Sequence, residues 1–159
     1  MNKTYLLLGS NMGNSSQQIA KAQKKITKKI GMITRQSRLY QTAAWGKTDQ
    51  PDFMNQVVVV ETKLSAAETM HAILDIETNM GRIRTVKNAP RIIDIDILFF
   101  NKDIISTETL TIPHPFIQER RFVLVPLNEL SARFIHPVLN KTISHLLNAC
   151  PDKLAVKKI

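Results

Sequence analysis

Cysteine is almost missing from this chain, with Cys150 standing alone among 159 residues. A single thiol excludes an internal disulfide and any zinc site built on paired cysteines. Such cysteine usage is typical of proteins from reducing compartments. The apolar run at 5–8 is too short for a signal peptide or a membrane span. We therefore expect a cytoplasmic protein without a membrane partner.

Glycine and aromatic residues are also scarce. The chain has five glycines, and it contains neither a G-x-x-x-x-G-K-[ST] phosphate loop nor a G-x-G-x-x-G motif. The segment 9–13 is predicted to be a turn, so a bound nucleotide would need another device. Aromatic residues make up 6% of the chain, which disfavours an RNA-binding sheet with rings for base stacking.

Length and charge set wide bounds. The 159 residues predict a single domain over 1–159, long enough to bury a core. The net charge of +9 favours anionic partners, yet most of the lysines are expected on solvated faces of one helix and the C-terminal tail. These are Lys21, Lys24, Lys25, Lys28, Lys29, Lys153, Lys157 and Lys158. Charge alone therefore does not choose a partner.

Periodicity predicts the order strand, helix, strand, strand, helix, strand, followed by further helices. The first helix is expected to be capped by Ser15 or Ser16, and the second by a capping box of Ser65 and Glu68. Strands are predicted at 32–40, 55–62 and 92–100, and later helices at 122–130 and 142–149. Two β-α-β units with antiparallel neighbours predict an α+β, ferredoxin-like fold.

The clearest chemical pattern is an acidic pair in the last predicted strand. Residues i and i+2 share a strand face, so Asp94 and Asp96 point the same way, about 7 Å apart. At that separation they repel by about 2 kcal/mol at an effective dielectric of about 20, which a cation would reverse. Oxygen ligands without cysteine favour Mg²⁺ over Zn²⁺. The alternative is a solvated outer-strand face.

The two faces of this strand are predicted to alternate without interruption. Leu98 and Phe100 are expected to continue the acidic face. The opposite face is predicted to be buried, carrying Ile93, Ile95, Ile97 and Phe99.

Arginines precede the acidic pair at Arg82, Arg84 and Arg91. Guanidinium groups bind phosphate oxygens bidentately, and a metal held by carboxylates beside such groups is typical of phosphoryl transfer. The alternative is a set of surface salt bridges, which are common and weak.

Short segments along nearly the whole chain resemble one enzyme family. They are Leu8-Gly9-Ser10-Asn11, Tyr40-Gln41-Thr42, Asp49-Gln50-Pro51-Asp52-Phe53-Met54-Asn55, Pro90-Arg91-Ile92-Ile93-Asp94-Ile95-Asp96-Ile97-Leu98, Ile112-Pro113-His114-Pro115 and the run 119–127. In this order they are similar to 6-hydroxymethyl-7,8-dihydropterin pyrophosphokinase of folate biosynthesis. The P-R-x-x-D-x-D-I and P-H-P elements together make the resemblance specific.

The resemblance implies a ferredoxin-like three-layer α/β/α fold with a mostly antiparallel sheet, and a monomer. It implies transfer of the pyrophosphoryl group of ATP to the pterin hydroxymethyl oxygen, with release of AMP. Two Mg²⁺ ions would lie between Asp94, Asp96 and the triphosphate. The implied catalytic residues are Arg82, Arg91, Asp94 and Asp96.

The resemblance also implies two sets of binding residues. The ATP side would be lined by Glu77, Arg84, Ile97, Thr111 and His114. The pterin side would be lined by Thr42, Ala44, Phe53, Asn55 and Phe122. The resemblance places Phe53 and Phe122 at the family's sandwiching positions, and a flat heterocycle suits aromatic faces above and below it. One amide such as Asn55 can serve the adjacent donors and acceptors of the ring edge.

One segment departs from the family pattern. The family commonly has Arg-Trp-Gly-Pro-Arg before the acidic pair, whereas this chain has Lys87-Asn88-Ala89-Pro90-Arg91 in a loop that is one residue shorter. Trp45, in the other loop, is a candidate to supply the missing aromatic cover.

Two other functions fit parts of the sequence. A basic ferredoxin-like domain could bind RNA, but an acidic pair on its sheet would repel phosphate without metal. An ordinary kinase or nucleotidyltransferase could use the same aspartates, and its products would distinguish it.

Overall fold

A computed structural model describes residues 1–43, 51–83 and 90–159. Its strands are β1 (Asn2–Ser10), β2 (Gly31–Gln36), β3 (Tyr40–Thr42), β4 (Phe53–Thr62), β5 (Asp94–Phe100), β6 (Ile105–Ser106), β7 (Thr111–Ile112) and β8 (Lys157–Lys158). Its α-helices are α1 (Ser15–Lys29), α2 (Ala66–Asn79), α3 (Arg121–Ser131) and α4 (Ile143–Asn148), and a 3₁₀ turn covers Ile117–Glu119.

The main sheet has six strands in the order β5-β1-β4-β3-β8, with β2 also pairing with β4. Each described pairing in it is antiparallel. The two β-α-β units therefore interleave, so that β1 and β4 are central, which is the ferredoxin-like arrangement. This confirms the predicted α+β class and its antiparallel sheet.

Helices cover both faces of the sheet. On one face, α1 and α2 bury residues such as Ile26 and Ile73 against Leu6 and Leu8 of β1. On the other, α3 and α4 bury residues such as Leu124 and Ile143 against alternate residues of the same strands. We call these two sides the α1–α2 layer and the α3–α4 layer. Period-2 alternation in the central strands supplies both apolar surfaces.

Local capping explains where the helices begin. The predicted capping box is confirmed, because Ser65 Oγ accepts the Glu68 N–H and Glu68 Oε1 accepts the Ser65 N–H. The prediction for α1 was wrong by one residue: Asn14, not a serine, caps this helix, and its Oδ1 accepts the Gln17 N–H at 3.2 Å.

The single strand predicted at 32–40 is two strands. β2 ends at Gln36 and β3 begins at Tyr40, and both pair with β4, at different ends. Ser37 lies between them, and its Oγ accepts the Val57 N–H while its own N–H donates to Val57 O. Through these two hydrogen bonds, Ser37 continues the pairing with β4 across the break between β2 and β3. β3 then leads to the part of the sheet where the cleft lies.

Alternation along β5 is broken by a bulge. Tyr5 of β1 pairs with Phe99 but Leu6 pairs with Ile97, so Leu98 is an extra residue. Leu98 and Phe99 consequently both face the α3–α4 layer, whereas Phe100 joins Ile97 in the α1–α2 layer. The prediction that Phe99 shares a face with Ile97, and Phe100 with the aspartates, was wrong for this reason.

Within the described parts of the chain, no helix is long and apolar enough to cross a membrane.

Candidate functional site

A cleft opens where β1, β3, β4 and β5 meet the start of α3. A concave site lined by aromatic side chains and a few polar groups suits a small-molecule ligand. The cleft is lined by Leu7, Gly9, Thr42, Ala43, Phe53, Asn55, Arg91, Asp94, Asp96, Arg120 and Phe122. The structure therefore brings together, from separate strands and loops, seven of the sequence-predicted site residues: Thr42, Phe53, Asn55, Arg91, Asp94, Asp96 and Phe122.

The acidic pair lies on the cleft face of β5, as the strand geometry predicted. Asp94 receives both flanking arginines: Arg82 Nη1 lies 2.5 Å from its Oδ1, and Arg91 Nη1 lies 3.2 Å from its Oδ2. Arg82 Nη1 also lies 2.7 Å from Oε2 of Glu77. Arg82 and Arg91 are thus ion-paired with Asp94 rather than spread over the surface, whereas Arg84 lies outside the described residues.

Glu77 connects this ion-pair group to the backbone of β5. It is 2% exposed at the end of α2, and its Oε2 accepts the Ile95 N–H of β5 at 2.8 Å. A buried carboxylate needs such partners to offset the loss of water. Glu77 was predicted on the ATP side; the structure places it behind Arg82, where it orients that guanidinium.

Asp96 carries an unfavourable charge. Burial, and then the negative charges of Asp94 and Glu77, raise the pKa of Asp96 to about 7, although Arg120 and Arg82 act in the opposite direction. Repulsion of this kind is relieved by a cation between the carboxylates. No group of three or more His, Cys, Asp or Glu side chains that could hold a metal ion occurs in the described residues. A metal held by the pair would take its other ligands from outside the protein. That fits Mg²⁺, which keeps water and phosphate oxygens among its ligands.

We predict that Asp96 makes the metal-free protein less stable as pH rises. Its pKa is raised on folding, so the folded state favours the proton, and this contribution is present below about pH 4 and lost as pH rises towards about 7. The Tm difference between Asp96→Asn and the unmodified chain, measured in EDTA, should therefore grow in favour of the variant across this window. A difference independent of pH would contradict the assignment.

The other lining residues of the cleft include two aromatic side chains. Phe53 begins β4 and Phe122 lies in the first turn of α3. Asn55 is 3% exposed and Thr42 is also buried. Among the described residues, the Thr42 Oγ1 atom has no hydrogen-bond partner, so a polar group is available where a ligand edge would lie.

Arg120 is a cleft residue that sequence reasoning missed. Its guanidinium carbon lies 4.9 Å from the ring centroid of Phe116 and 5.8 Å from that of Phe122, and Arg91 lies similarly 5.7 Å from Phe53. Cations over ring faces are stabilised by the ring quadrupole. The available signal was an arginine two residues before a ring that was expected to stack.

Gly9 lets the Asn55 side chain enter the cleft. The two residues are Cα partners across β1 and β4, and a Cβ on Gly9 would lie 2.7 Å from Asn55 Oδ1. Such a contact is too close, so any larger residue at position 9 displaces the amide.

We predict that Gly9→Ala weakens pterin binding about tenfold by moving the Asn55 amide, with a smaller effect on ATP. Equilibrium titration with pterin measures this. Because the damage acts through Asn55, the double variant Gly9→Ala/Asn55→Ala should bind no more weakly than Asn55→Ala alone. Additive losses would show that Gly9 acts by another route.

Two of the residues predicted on the ATP side, Thr111 and His114, lie on the segment after β5. His114 donates its N–H to Leu98 O at 3.1 Å, and its Nδ1 accepts the Phe116 N–H at 3.2 Å. Burial and the charge of Arg120 lower the pKa of His114 to about 4, although Asp94 acts to raise it. The imidazole is therefore neutral at physiological pH, with its proton on Nε2.

Two residues predicted on the ATP side, Ile97 and Thr111, are not among the described residues that line the cleft. Ile97 is 3% exposed and its side chain packs in the α1–α2 layer, away from the cleft. Thr111 is exposed at the start of β7, where it pairs with Ser106. Arg84, Ala44 and Trp45 lie outside the described residues, as does 84–89, which contains most of the shortened loop.

The cleft thus sets two carboxylates and two guanidinium groups beside two aromatic side chains and a buried amide, on a ferredoxin-like sheet. Carboxylates beside arginines are typical of phosphoryl-transfer enzymes. The family model described as "7,8-dihydro-6-hydroxymethylpterin-pyrophosphokinase (HPPK)" matches residues 5–132. The chain belongs to this family. The resemblance drawn from the motifs is thereby confirmed, and the family supports pyrophosphoryl transfer in folate biosynthesis as its reaction class.

Individual relatives agree with the family. The chain is 38% identical over 143 residues to "2-amino-4-hydroxy-6-hydroxymethyldihydropteridine pyrophosphokinase" of Aquifex aeolicus, covering 90% of this chain and 89% of that protein. It is 39% identical over 151 residues to "Folic acid synthesis protein FOL1" of Dictyostelium discoideum, covering 95% of this chain but 23% of that protein. The chain thus spans about a quarter of this longer relative.

Solved structures support the fold. Wild-type HPPK-DHPS of Plasmodium falciparum, in a crystal structure with pteroate, superposes with a TM-score of 0.75 at 22% identity. The match covers 93% of this chain and 42% of that chain. At this identity the comparison shows the α/β/α fold and not the ligands of the present chain.

Proposed function

We propose that this chain transfers the pyrophosphoryl group of ATP to the hydroxymethyl oxygen of 6-hydroxymethyl-7,8-dihydropterin and releases AMP. The observation that carries the proposal is the shared cleft. Asp94, Asp96 and Arg91 line it together with Phe53 and Phe122. A phosphate chain and a flat ring bound there would meet within one enclosed space, which favours a direct transfer between them.

On the phosphate side, the chain contributes charge and position. Arg82 and Arg91 both hold Asp94 in the structure, and a triphosphate entering the cleft offers them stronger bidentate acceptors. Glu77 keeps Arg82 aimed at the cleft while that exchange occurs. Guanidinium groups so placed stabilise the charge that builds on the transferred group.

We propose Mg²⁺ as the cofactor, as two ions bound with ATP. Asp94 and Asp96 would hold the metal, because they are the carboxylates that share the cleft face. When bound, Mg²⁺ neutralises charge on the phosphate oxygens. Burial and the neighbouring carboxylates raise the pKa of Asp96 to about 7. This supports the proposal, because a bound cation would relieve the repulsion between the carboxylates.

On the pterin side, the chain contributes stacking and hydrogen bonds. Phe53 and Phe122 would sandwich the ring, with roughly 1–3 kcal/mol for each ring by analogy with nucleobases. The buried amide of Asn55 and the Thr42 hydroxyl would meet the polar edge of the ring. Burial of both polar groups favours a ligand that satisfies them and rejects one that does not.

The test is product analysis with purified protein, ATP, MgCl₂ and 6-hydroxymethyl-7,8-dihydropterin. Equal amounts of AMP and pyrophosphorylated pterin are expected. ADP as the product would instead indicate an ordinary kinase, and no reaction with this pterin would refute the proposal. Omitting metal, or adding EDTA, should stop the reaction; full activity in EDTA would refute the cofactor.

The setting of the enzyme is also a proposal. We propose a single pyrophosphokinase domain over 1–159 that acts as a cytoplasmic monomer on small-molecule substrates, without nucleic acid. A lone, buried cysteine supports a reducing compartment. The monomer follows from the family resemblance, and sedimentation equilibrium would test it.

A further inference from the structure

Asn11 is a buried amide immediately after β1, beside the cleft but not among its lining residues. It is 2% exposed. Its Oδ1 accepts the Arg91 N–H at 2.8 Å, and its Nδ2 donates to Pro51 O at 3.2 Å. Its own backbone N–H donates to Arg91 O at 3.1 Å.

These contacts fix how the amide is oriented. An N–H faces one end and a carbonyl oxygen faces the other, so only one placement of the amide oxygen and nitrogen satisfies both. Arg91 and Pro51 are 40 residues apart in the chain, and Asn11 joins the two segments through one side chain. Asn11 is therefore a specific connection rather than a general packing residue.

Each connected segment carries one half of the site. Arg91 itself reaches Asp94 Oδ2 at 3.2 Å on the phosphate side. Pro51 leads within two residues to Phe53, the first residue of β4, on the ring side. The Arg91 guanidinium carbon lies 5.7 Å from the Phe53 ring centroid, so the two halves also touch directly.

We propose that Asn11 is a positioning residue that holds the ring-binding half and the phosphate-binding half of the cleft at a fixed separation. This inference rests on the proposed function and adds a residue that would contact neither substrate. Transfer between two bound substrates depends steeply on the distance between the reacting atoms. Losing Asn11 should therefore lower kcat as well as weaken binding of both substrates.

The first test is Asn11→Ala, compared with Asn14→Ala. Both variants remove a hydrogen-bonding amide from the same turn, but Asn14 caps α1 and is not among the described residues that line the cleft. We expect Asn11→Ala to lower kcat about tenfold and to raise both KM values about five- to tenfold, since each lost bond weakens one segment. Asn14→Ala should lower Tm without changing these constants.

A second variant separates the two connections. Asn11→Asp keeps an oxygen for the Arg91 N–H but presents an oxygen to Pro51 O, so the ring side loses its bond. The KM for pterin should then rise more than the KM for ATP. Equal changes in both would overturn the assignment of separate connections, and this variant also carries the test should Asn11→Ala not fold.

Hydrogen exchange gives a readout that does not need activity. In the Asn11→Ala variant the Arg91 amide should exchange at least about tenfold faster, while the β1 amides stay protected. An unmodified protein that makes no AMP would refute the proposed function and leave this readout standing. Unchanged exchange at Arg91, or kinetic effects no larger than those of Asn14→Ala, would overturn the role of Asn11.

Discussion

Replacing Asp96 by asparagine should reduce AMP formation by about 10³-fold or more while leaving the fold intact. The amide keeps the shape of the side chain but removes the charge that a cation needs. Asp96 lies on the cleft face of β5, where burial and two neighbouring carboxylates already disfavour its charge. The variant should therefore be at least as stable as the unmodified chain at neutral pH, so lost turnover cannot be ascribed to unfolding.

Steady-state AMP formation and far-UV circular dichroism measure this prediction. Asp103→Asn is a matched control, because Asp103 is an exposed aspartate just after the same strand. It should retain normal turnover. Near-normal turnover in Asp96→Asn would show that the metal site has been placed wrongly.

Arg82→Ala should lower turnover about 10³-fold through lost stabilisation of phosphoryl charge, and it should also destabilise the protein. Arg82 is bonded to Glu77 and Asp94, and Glu77 is almost fully buried. Removing one partner of a buried ion pair costs about 3 kcal/mol. The free energy of unfolding, from urea titration, should fall by roughly that amount.

A double variant separates the two effects of Arg82. Glu77→Gln removes the buried charge but keeps an oxygen for the Ile95 N–H. In Arg82→Ala/Glu77→Gln, much of the stability should return while turnover stays low. Recovery of turnover together with stability would mean that Arg82 serves to neutralise Glu77 and has no part in transfer.

The sequence predicted the parts of the molecule that follow from local pattern. Period-2 and helical spacing gave the order of elements, and the i, i+2 rule placed Asp94 and Asp96 on one face of β5. The motifs then predicted the family and most cleft residues. Phe53 and Phe122 could be paired only through the resemblance, because 69 positions separate them and nothing local links a strand start to a distant helix.

Other features depend on contacts that no local pattern encodes. The β5 bulge arises from pairing with β1, so Phe99 could not be assigned to its layer from alternation alone. Asn11 was predicted as a turn residue within one of the family segments, and its role as a connection could not be predicted because both its partners lie far along the chain. The contacts of Glu77 depend on the packing of α2 beside β5, where its carboxylate accepts the Ile95 N–H and pairs with the Arg82 guanidinium.

The extra residue at Leu98 divides β5 into two stretches, because the alternation of side chains between the two faces shifts by one residue there. Asp94 and Asp96 follow the alternation before the bulge, and Phe99 and Phe100 follow the alternation after it. Substitutions that change the packing at the apolar end of the strand should thus leave the orientation of the two aspartates unchanged. Homologous chains could therefore differ in the bulky residues there without turning the aspartates away from the cleft.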